Sequence, residues 1–529
     1  MSDKTLEKNM LQGTVILTLT SFVVKVLSAV YRVPYQNLVG DEGFYVYQQI
    51  YPIYGIGMTL ALTGLPVYLS KLLAACSSQK EQEKTLNAFF TVVSGLSLLL
   101  FGSLYALATP IARLMGDVSL SPLIQVVSFV FLLVPFLSTY RGFFQGQLEM
   151  KPTAISQLVE QGSRVLVILG AGYLFTILDW TVYDVGNVAM SGAIVGGLFA
   201  LVILWYYGRR RSFSVRLRKQ DSKELRQFTK KLLKEGGTLC FFSAYLIVFQ
   251  LVDAFSVKQF LVYGGMDDLS AKIAKGVFDR GQPLVQLGLV VAVSMTAAFL
   301  PPLTKHFMNK DKRAYEDMVF SYIKVARVIA LAASVGLALV LPYINVTLFS
   351  DNQAELTLSL FVLSIYFVSM IQTYQTIYQS QNIVRYQVLG AIAGLFTKIV
   401  WTPLLTFYYG TVGASLSTLF GLFVCLAVLK WYLVKAIPGH KSSHEYRIKL
   451  SLNLAGMIAV LLVYRGILEI VQWQTFERGA DLLLSLLGVC LGGSVYIIGL
   501  IKSQLFTEAE WYMLPFGKKV VKKMKKISR

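Results

Sequence analysis

The strongest constraint on this 529-residue chain is a succession of long apolar stretches. A helix that crosses a bilayer needs about 20 predominantly apolar residues. Between Leu11 and Leu505 the chain divides into about fourteen such stretches, separated by short polar connections. Only 15% of the residues are charged, whereas soluble globular chains carry about 25%. The sequence therefore excludes a soluble enzyme and predicts an all-α polytopic membrane protein with about 14 transmembrane helices.

The predicted spans have boundaries with an error of several residues. They lie near 14–38, 44–70, 86–112, 121–145, 153–178, 183–207, 236–263, 276–304, 319–349, 355–380, 386–408, 411–435, 449–471 and 481–504.

Basic residues lie in alternate loops, and this distribution predicts which side of each span faces the cytoplasm. The net charge of +20 therefore reflects membrane orientation, and no nucleic-acid partner is expected. Both termini and the cationic tail are predicted to be cytoplasmic, while the opposite loops are short and acidic or neutral. The cytoplasmic basic residues include Lys4, Lys8, Lys80, Lys84, Lys151, Lys310, Lys312, Arg313, Arg385, Lys441 and Arg447.

The longest connection between spans, residues 208–235, lies almost at the middle of the first twelve spans. Its position predicts a division of the chain into two lobes. A shift of 234 residues places Thr139–Gln147 over Thr373–Gln381, and Arg164 over Lys398. Parallel repeats of six spans are typical of transporters, although chance similarity among apolar helices is the alternative. The predicted parts are an N-lobe at 1–207, a basic cytoplasmic linker at 208–235, a C-lobe at 236–436, spans 13 and 14 at 437–505, and a basic tail at 506–529.

Charged side chains at bilayer depth are costly unless they face protein or water, so each is a candidate for the functional site. Cations outnumber anions among them, which predicts a hydrated cavity that receives an anion. Arginine suits a phosphate because its guanidinium is a planar fork of donors. The candidate cations are Lys25, Arg32, Arg164, Arg280 and Lys398, and the candidate anions are Glu160, Asp253 and Asp279.

Several of these charges have simpler explanations. Glu160 and Arg164 are spaced i,i+4, so an ion pair within one helix is as plausible as a ligand contact. Asp253 either balances a neighbouring cation or binds a coupling cation or proton. Arg465 and Glu469 are predicted to form a local pair. The cations near cytoplasmic span ends are expected to reach the headgroups; they are Arg141, Lys324, Arg327 and Lys430.

The sequence contains no pattern that indicates catalysis or a cofactor. The four cysteines lack CxxC spacing, the three histidines lie in cytoplasmic loops, and no nucleotide-binding motif is present. No metal, no cofactor and no enzymatic activity are therefore expected. The membrane potential or an ion gradient would have to drive transport.

Residues 139–165, TYRGFFQGQLEMKPTAISQLVEQGSRV, resemble the polysaccharide and oligosaccharide flippases of the MATE-like (MOP) exporter superfamily. The resemblance is strongest to the SpoVB/YtgP branch, which contains MurJ-type lipid II flippases. Asp279-Arg280 followed by Gly288 and Leu300-Pro301 is similar to span 8 of MurJ-type proteins. The family resemblance implies two pseudo-symmetric six-helix lobes, two C-terminal helices and a location in the bacterial cytoplasmic membrane.

The same resemblance implies roles for individual residues. Arg280 corresponds to a substrate-cavity arginine, and Lys25 and Arg32 to the basic face of span 1. Asp41, or its neighbour Glu42, corresponds to an acidic residue at the outer end of that span. MurJ-type proteins carry a further arginine after the proline of span 2, and this chain lacks it.

The function implied is alternating-access transport of an undecaprenyl-diphosphate-linked glycan, lipid II for peptidoglycan synthesis, from the inner to the outer leaflet. The implied partners are this substrate, membrane lipids and cell-wall synthesis proteins, and the chain is expected to act as a monomer. Three alternatives stay open. They are transport of another lipid-linked polysaccharide (capsule, teichoic or spore-related), cation-coupled multidrug export, and a non-transporting envelope scaffold.

Overall fold

The computed structural model describes residues 17, 20, 22–211, 213, 221–436, 444–471, 478–512, 517, 521 and 522. Every regular element in these ranges is a helix, which confirms the predicted all-α fold class. The helices are α1 (22–30), α2 (Arg32–Thr59), α3 (Leu65–Ala74), α4 (Gln79–Ala106), α5 (Ala108–Leu114), α6 (Ser121–Ser128), α7 (Val130–Gly146), α8 (Met150–Ile177), α9 (Val182–Arg210), α10 (Ser222–Lys231), α11 (Gly237–Tyr263), α12 (Asp268–Asp279), α13 (Gly281–Gly288), α14 (Val290–Met308), α15 (Lys312–Phe349), α16 (Glu355–Val362), α17 (Ser364–Ser380), α18 (Arg385–Ala436), α19 (His444–Ile470), α20 (Arg478–Lys502) and α21 (Glu508–Tyr512).

Eleven helical segments in the described ranges are long and apolar enough to cross a membrane. Two of them, Phe22–Ala74 and Arg385–Val434, have 53 and 50 residues, about twice the length of one span. Gly40 and Gly410 interrupt them with φ of 70° and 58°, a left-handed conformation that glycine adopts without steric cost. If each of these two segments forms two spans, and α12 to α14 together form one interrupted span, the described helices are consistent with fourteen spans.

The bounds of two helix pairs follow the predicted repeat. Helices α6 and α16 each have 8 residues, and α7 and α17 each have 17, with starting points 234 residues apart. After each second helix a non-glycine residue is left-handed, Leu148 at φ 60° and Asn382 at φ 55°. The same offset therefore relates sequence, helix length and backbone conformation.

The chain packs as two compact units. The first comprises Met1–Asp279 with Thr402–Gly410, and the second comprises Arg280–Trp401 with Thr411–Arg529. In the first unit, α2 packs against α8, α9, α11 and α12; in the second, α15 packs against α17, α19 and α20. The boundary between units lies at residue 279, whereas the two-lobe division at 208–235 stays a prediction about the repeat.

Candidate functional site

Tyrosines dominate the buried face of α2 in the first unit. Tyr47, Tyr51 and Tyr54 recur at the i, i+4, i+7 spacing that places side chains on one side of a helix. Tyr31 and Tyr35 precede them at the start of α2, and all five are at most 8% exposed. The hydroxyls of Tyr31 and Tyr47 are 2.7 Å apart. This aromatic cage surrounds two buried guanidinium groups.

Arg164 reaches the cage from α8. Its Nη2 donates to the hydroxyls of Tyr31 at 2.9 Å and Tyr47 at 2.7 Å, and its Cζ lies 4.0 Å from the ring centre of Tyr54. A further bond runs from Nη1 to Gln161 at 3.5 Å. All these partners are neutral, so within the described ranges the buried charge of Arg164 is bound by hydroxyls, rings and an amide oxygen, without a carboxylate.

Arg32 begins α2 and is 0% exposed. Its Cζ lies 4.2 Å from the ring centre of Tyr51, but none of its three guanidinium nitrogens has a hydrogen-bond partner in the described part of the chain. Asp279 is within electrostatic range of Arg32, yet its carboxylate is bound elsewhere. A buried ion without hydrogen bonds costs several kcal/mol, so the fold maintains Arg32 at a substantial expense in stability.

Lys25 lies on the segment that leads into α2, and its side chain is exposed. The ion pairs between described residues do not include it. The first unit thus contains three cations from the sequence prediction, Lys25, Arg32 and Arg164, that lack an acidic partner among the described residues.

Glu160 does not pair with Arg164, although their spacing made that pair plausible. Its carboxylate accepts from Arg141 Nη2 at 2.5 Å, and the two side chains are 8% and 0% exposed. Arg141 also donates to Ser156 at 3.2 Å and to the carbonyl of Ala61 at 3.2 Å. Ala61 lies in the π-helical turn Leu60–Gly64. The expectation that Arg141 reaches the headgroups is therefore wrong, because it is buried among three spans.

Asp279 is bound by Lys275, which the predicted spans leave in the loop between 263 and 276. Lys275 Nζ lies 2.5 Å from Asp279 across one turn of α12, with both side chains buried. Asp253 is buried on α11 and lies within electrostatic range of Asp279. Asp41 accepts from Gln36 Nε2 at 2.9 Å, and its carbonyl lies so near Gly276 that a Cβ there would be 2.1 Å away.

The second unit holds Arg280 and Lys398, both 0% exposed. Arg280 donates from Nη1 and Nη2 to the two carboxylate oxygens of Asp351, at 2.6 and 2.9 Å. Lys398 donates to Thr418 at 2.6 Å. Arg465 contacts Glu469 at 3.8 Å, as predicted, and also Glu355 at 3.1 Å.

A second charged network lies at the predicted outer end of the first unit. Lys258 and Lys272 both bind Asp268, and Lys272 also lies 3.7 Å from Asp117. Partial burial opposes ionisation of Asp268, but the two lysines outweigh it and lower its pKa. Sequence spacing signals only the Lys272–Asp268 pair, since the other contacts join different helices.

Among the described residues, no group of three His, Cys, Asp or Glu side chains could hold a metal ion. The chemistry that this arrangement supports is binding of an anion by guanidinium groups.

The sequence profile of a family described as "Polysaccharide biosynthesis protein" matches residues 10–307. The uncharacterized membrane protein YabM of Bacillus subtilis (strain 168) is 37% identical, over 97% of this chain and 96% of that protein. The lipid II flippase MurJ of the same organism is 24% identical, over 93% and 95%. A solved structure of lipid II flippase MurJ in an inward closed conformation matches with a TM-score of 0.70 at 16% identity, covering 92% of this chain and 98% of that one.

Proposed function

This chain belongs to the polysaccharide biosynthesis protein family, as the resemblance in its sequence predicted, and from that membership we propose that it is a flippase. The proposed cargo is an undecaprenyl-diphosphate-linked glycan, with lipid II for peptidoglycan synthesis as the specific candidate. The glycan moves from the inner to the outer leaflet by alternating access.

The observation that carries this proposal is the set of cations in the first unit that have no acidic partner in the described part of the chain. Among the described residues, Arg32 presents three buried nitrogens without hydrogen bonds, and the groups that bind Arg164 are neutral. A phosphate fits such groups because its oxygens accept two parallel hydrogen bonds from one guanidinium fork. A carrier of organic cations needs the opposite charge in its cavity.

The proposed drive is the membrane potential. A diphosphate with about two negative charges that moves outward, against an inside-negative potential, gains roughly 4 to 5 kcal/mol per 100 mV. Asp253, buried on α11, is the proposed coupling group if an ion gradient also contributes.

The test is depletion of the protein in its native host, followed by an assay of lipid II accessible at the outer leaflet. Rescue is attempted at matched expression with the wild type, Arg32→Ala, Arg164→Ala and the control Arg313→Ala, which removes an exposed cation. We expect depletion to lower accessible lipid II, and the wild type and the control to restore it. Arg32→Ala and Arg164→Ala should restore less than a tenth of it.

Other outcomes separate the alternatives. Unchanged lipid II with loss of another surface glycan would assign that glycan as the cargo. Full rescue by both Arg32→Ala and Arg164→Ala would contradict the anion site and favour a scaffold that acts without transport.

A further inference from the structure

Arg280 differs from the other two candidate arginines because its fork is occupied. Asp351 offers one carboxylate oxygen to each terminal nitrogen, at 2.6 and 2.9 Å. A phosphate would use the same two donors in the same parallel geometry. The Asp351 carboxylate therefore holds the place on Arg280 that an anionic substrate group would take.

Asp351 lies in the turn at residues 350–354, and hydrogen bonds of this turn orient its carboxylate. Ser350 and Ala354 on either side of it are left-handed, at φ 68° and 52°. Such non-glycine residues cost about 1–3 kcal/mol each and persist only where the surrounding structure imposes the conformation. The amide of Gln353 donates to Asp351 Oδ1 at 2.9 Å, and Asn345 donates to the carbonyl of Gln353 at 3.1 Å. These bonds orient the carboxylate that Arg280 contacts.

The two side chains of the pair differ in their access to water. Arg280 is fully buried and also lies 5.0 Å from the ring centre of Phe349, whereas the Asp351 side chain is 31% exposed. A partly exposed carboxylate keeps access to water when it leaves its partner, whereas the fully buried Arg280 needs another anion in its place. The distribution of basic loops assigns the 350–354 turn to the outer side of the membrane.

We propose that Asp351 is an internal counter-anion that competes with the diphosphate of the cargo for Arg280 and so promotes release at the outer leaflet. This inference rests on the proposed function, because it requires a phosphate-bearing substrate. Asp351 does not itself bind the cargo and acts on it only through Arg280.

The experiment measures binding of undecaprenyl diphosphate to the purified full-length chain in nanodiscs. The variants are Asp351→Asn, Arg280→Ala and their combination, and the control is Asp179→Asn, which neutralises an exposed acid of another outer loop. Asp351→Ser serves as a second variant, because its hydroxyl can still accept from the Gln353 amide. Thermal unfolding establishes which variants are folded.

We expect Asp351→Asn and Asp351→Ser to bind the probe about 5- to 10-fold more tightly, with a slower off-rate, and Asp179→Asn to match the wild type. In the Arg280→Ala background, the Asp351 substitution should have no effect. A merely structural role predicts weaker binding, so unchanged or weaker binding by folded Asp351 variants overturns the inference while the flippase proposal stands. Absence of binding by the wild type overturns both.

Discussion

Glu160 forms its buried ion pair with Arg141, 19 positions earlier in the chain, and not with Arg164 one helical turn later. This pairing decides which of the two buried arginines, Arg141 or Arg164, has a carboxylate partner. It leaves Arg164 to the tyrosine hydroxyls, and it links α7 and α8 to the π-helical turn beside α3.

Neutralising Glu160 alone should destabilise the protein strongly. Glu160→Gln leaves Arg141 buried with an uncompensated charge, and breaking a buried pair in this way costs about 3–5 kcal/mol. The double variant Arg141→Met/Glu160→Met should lose much less, because no ion stays buried. Unfolding of the detergent-solubilised variants checks this, and equal losses for the single and double variants would contradict it.

Replacing Arg32 should have the opposite effect on stability. Its nitrogens have no hydrogen-bond partners among the residues that the structure describes. Arg32→Met therefore removes a desolvation cost and should raise the free energy of unfolding by about 1–4 kcal/mol. Transport should fall at the same time if Arg32 binds the cargo. Paired measurements of unfolding and flipping test this, with the exposed Arg313→Met as control. A destabilised Arg32→Met variant would show that Arg32 serves packing.

Apolar length predicted the spans, but i,i+4 spacing identified ion pairs only in part. It predicted the contact of Arg465 with Glu469. It also made a Glu160–Arg164 pair plausible, and Glu160 instead pairs with Arg141. The partners of Arg141 and Arg280 lie on other elements. Those contacts depend on helix packing and on the left-handed turn at 350–354, and neither leaves a periodic signal.

Acidification should weaken two ion pairs outside the spans. Burial opposes ionisation of Asp351, but Arg280 and the Gln353 amide outweigh it and lower its pKa; the pKa of Asp268 is lowered as well. The folded pKa values therefore lie below the ordinary value of about 3.9. Their stabilisation is present above about pH 4 and is lost as the pH falls through the lowered values.

Melting temperatures between pH 6 and pH 3 check this dependence. We expect the decrease to be smaller in Asp268→Asn/Asp351→Asn than in the wild type, since the variant has already lost both titrating groups. Asp179→Asn is the control and should retain the wild-type decrease. An identical decrease in all three proteins would assign the acid sensitivity to other carboxyls.

The contact between α12 and the end of the first span should tolerate no side chain at Gly276. A Cβ there would lie 2.1 Å from the carbonyl oxygen of Asp41, and backbone atoms cannot rotate away. Gly276→Ala should therefore cost about 1–3 kcal/mol, as overpacking does. Gly102→Ala on α4 is the matched control, because no atom lies within 4 Å of its Cβ and alanine favours the helix by about 0.5–1 kcal/mol. Thermal unfolding should separate the two variants in sign, and a stable Gly276→Ala would show that α12 can withdraw from Asp41 without loss.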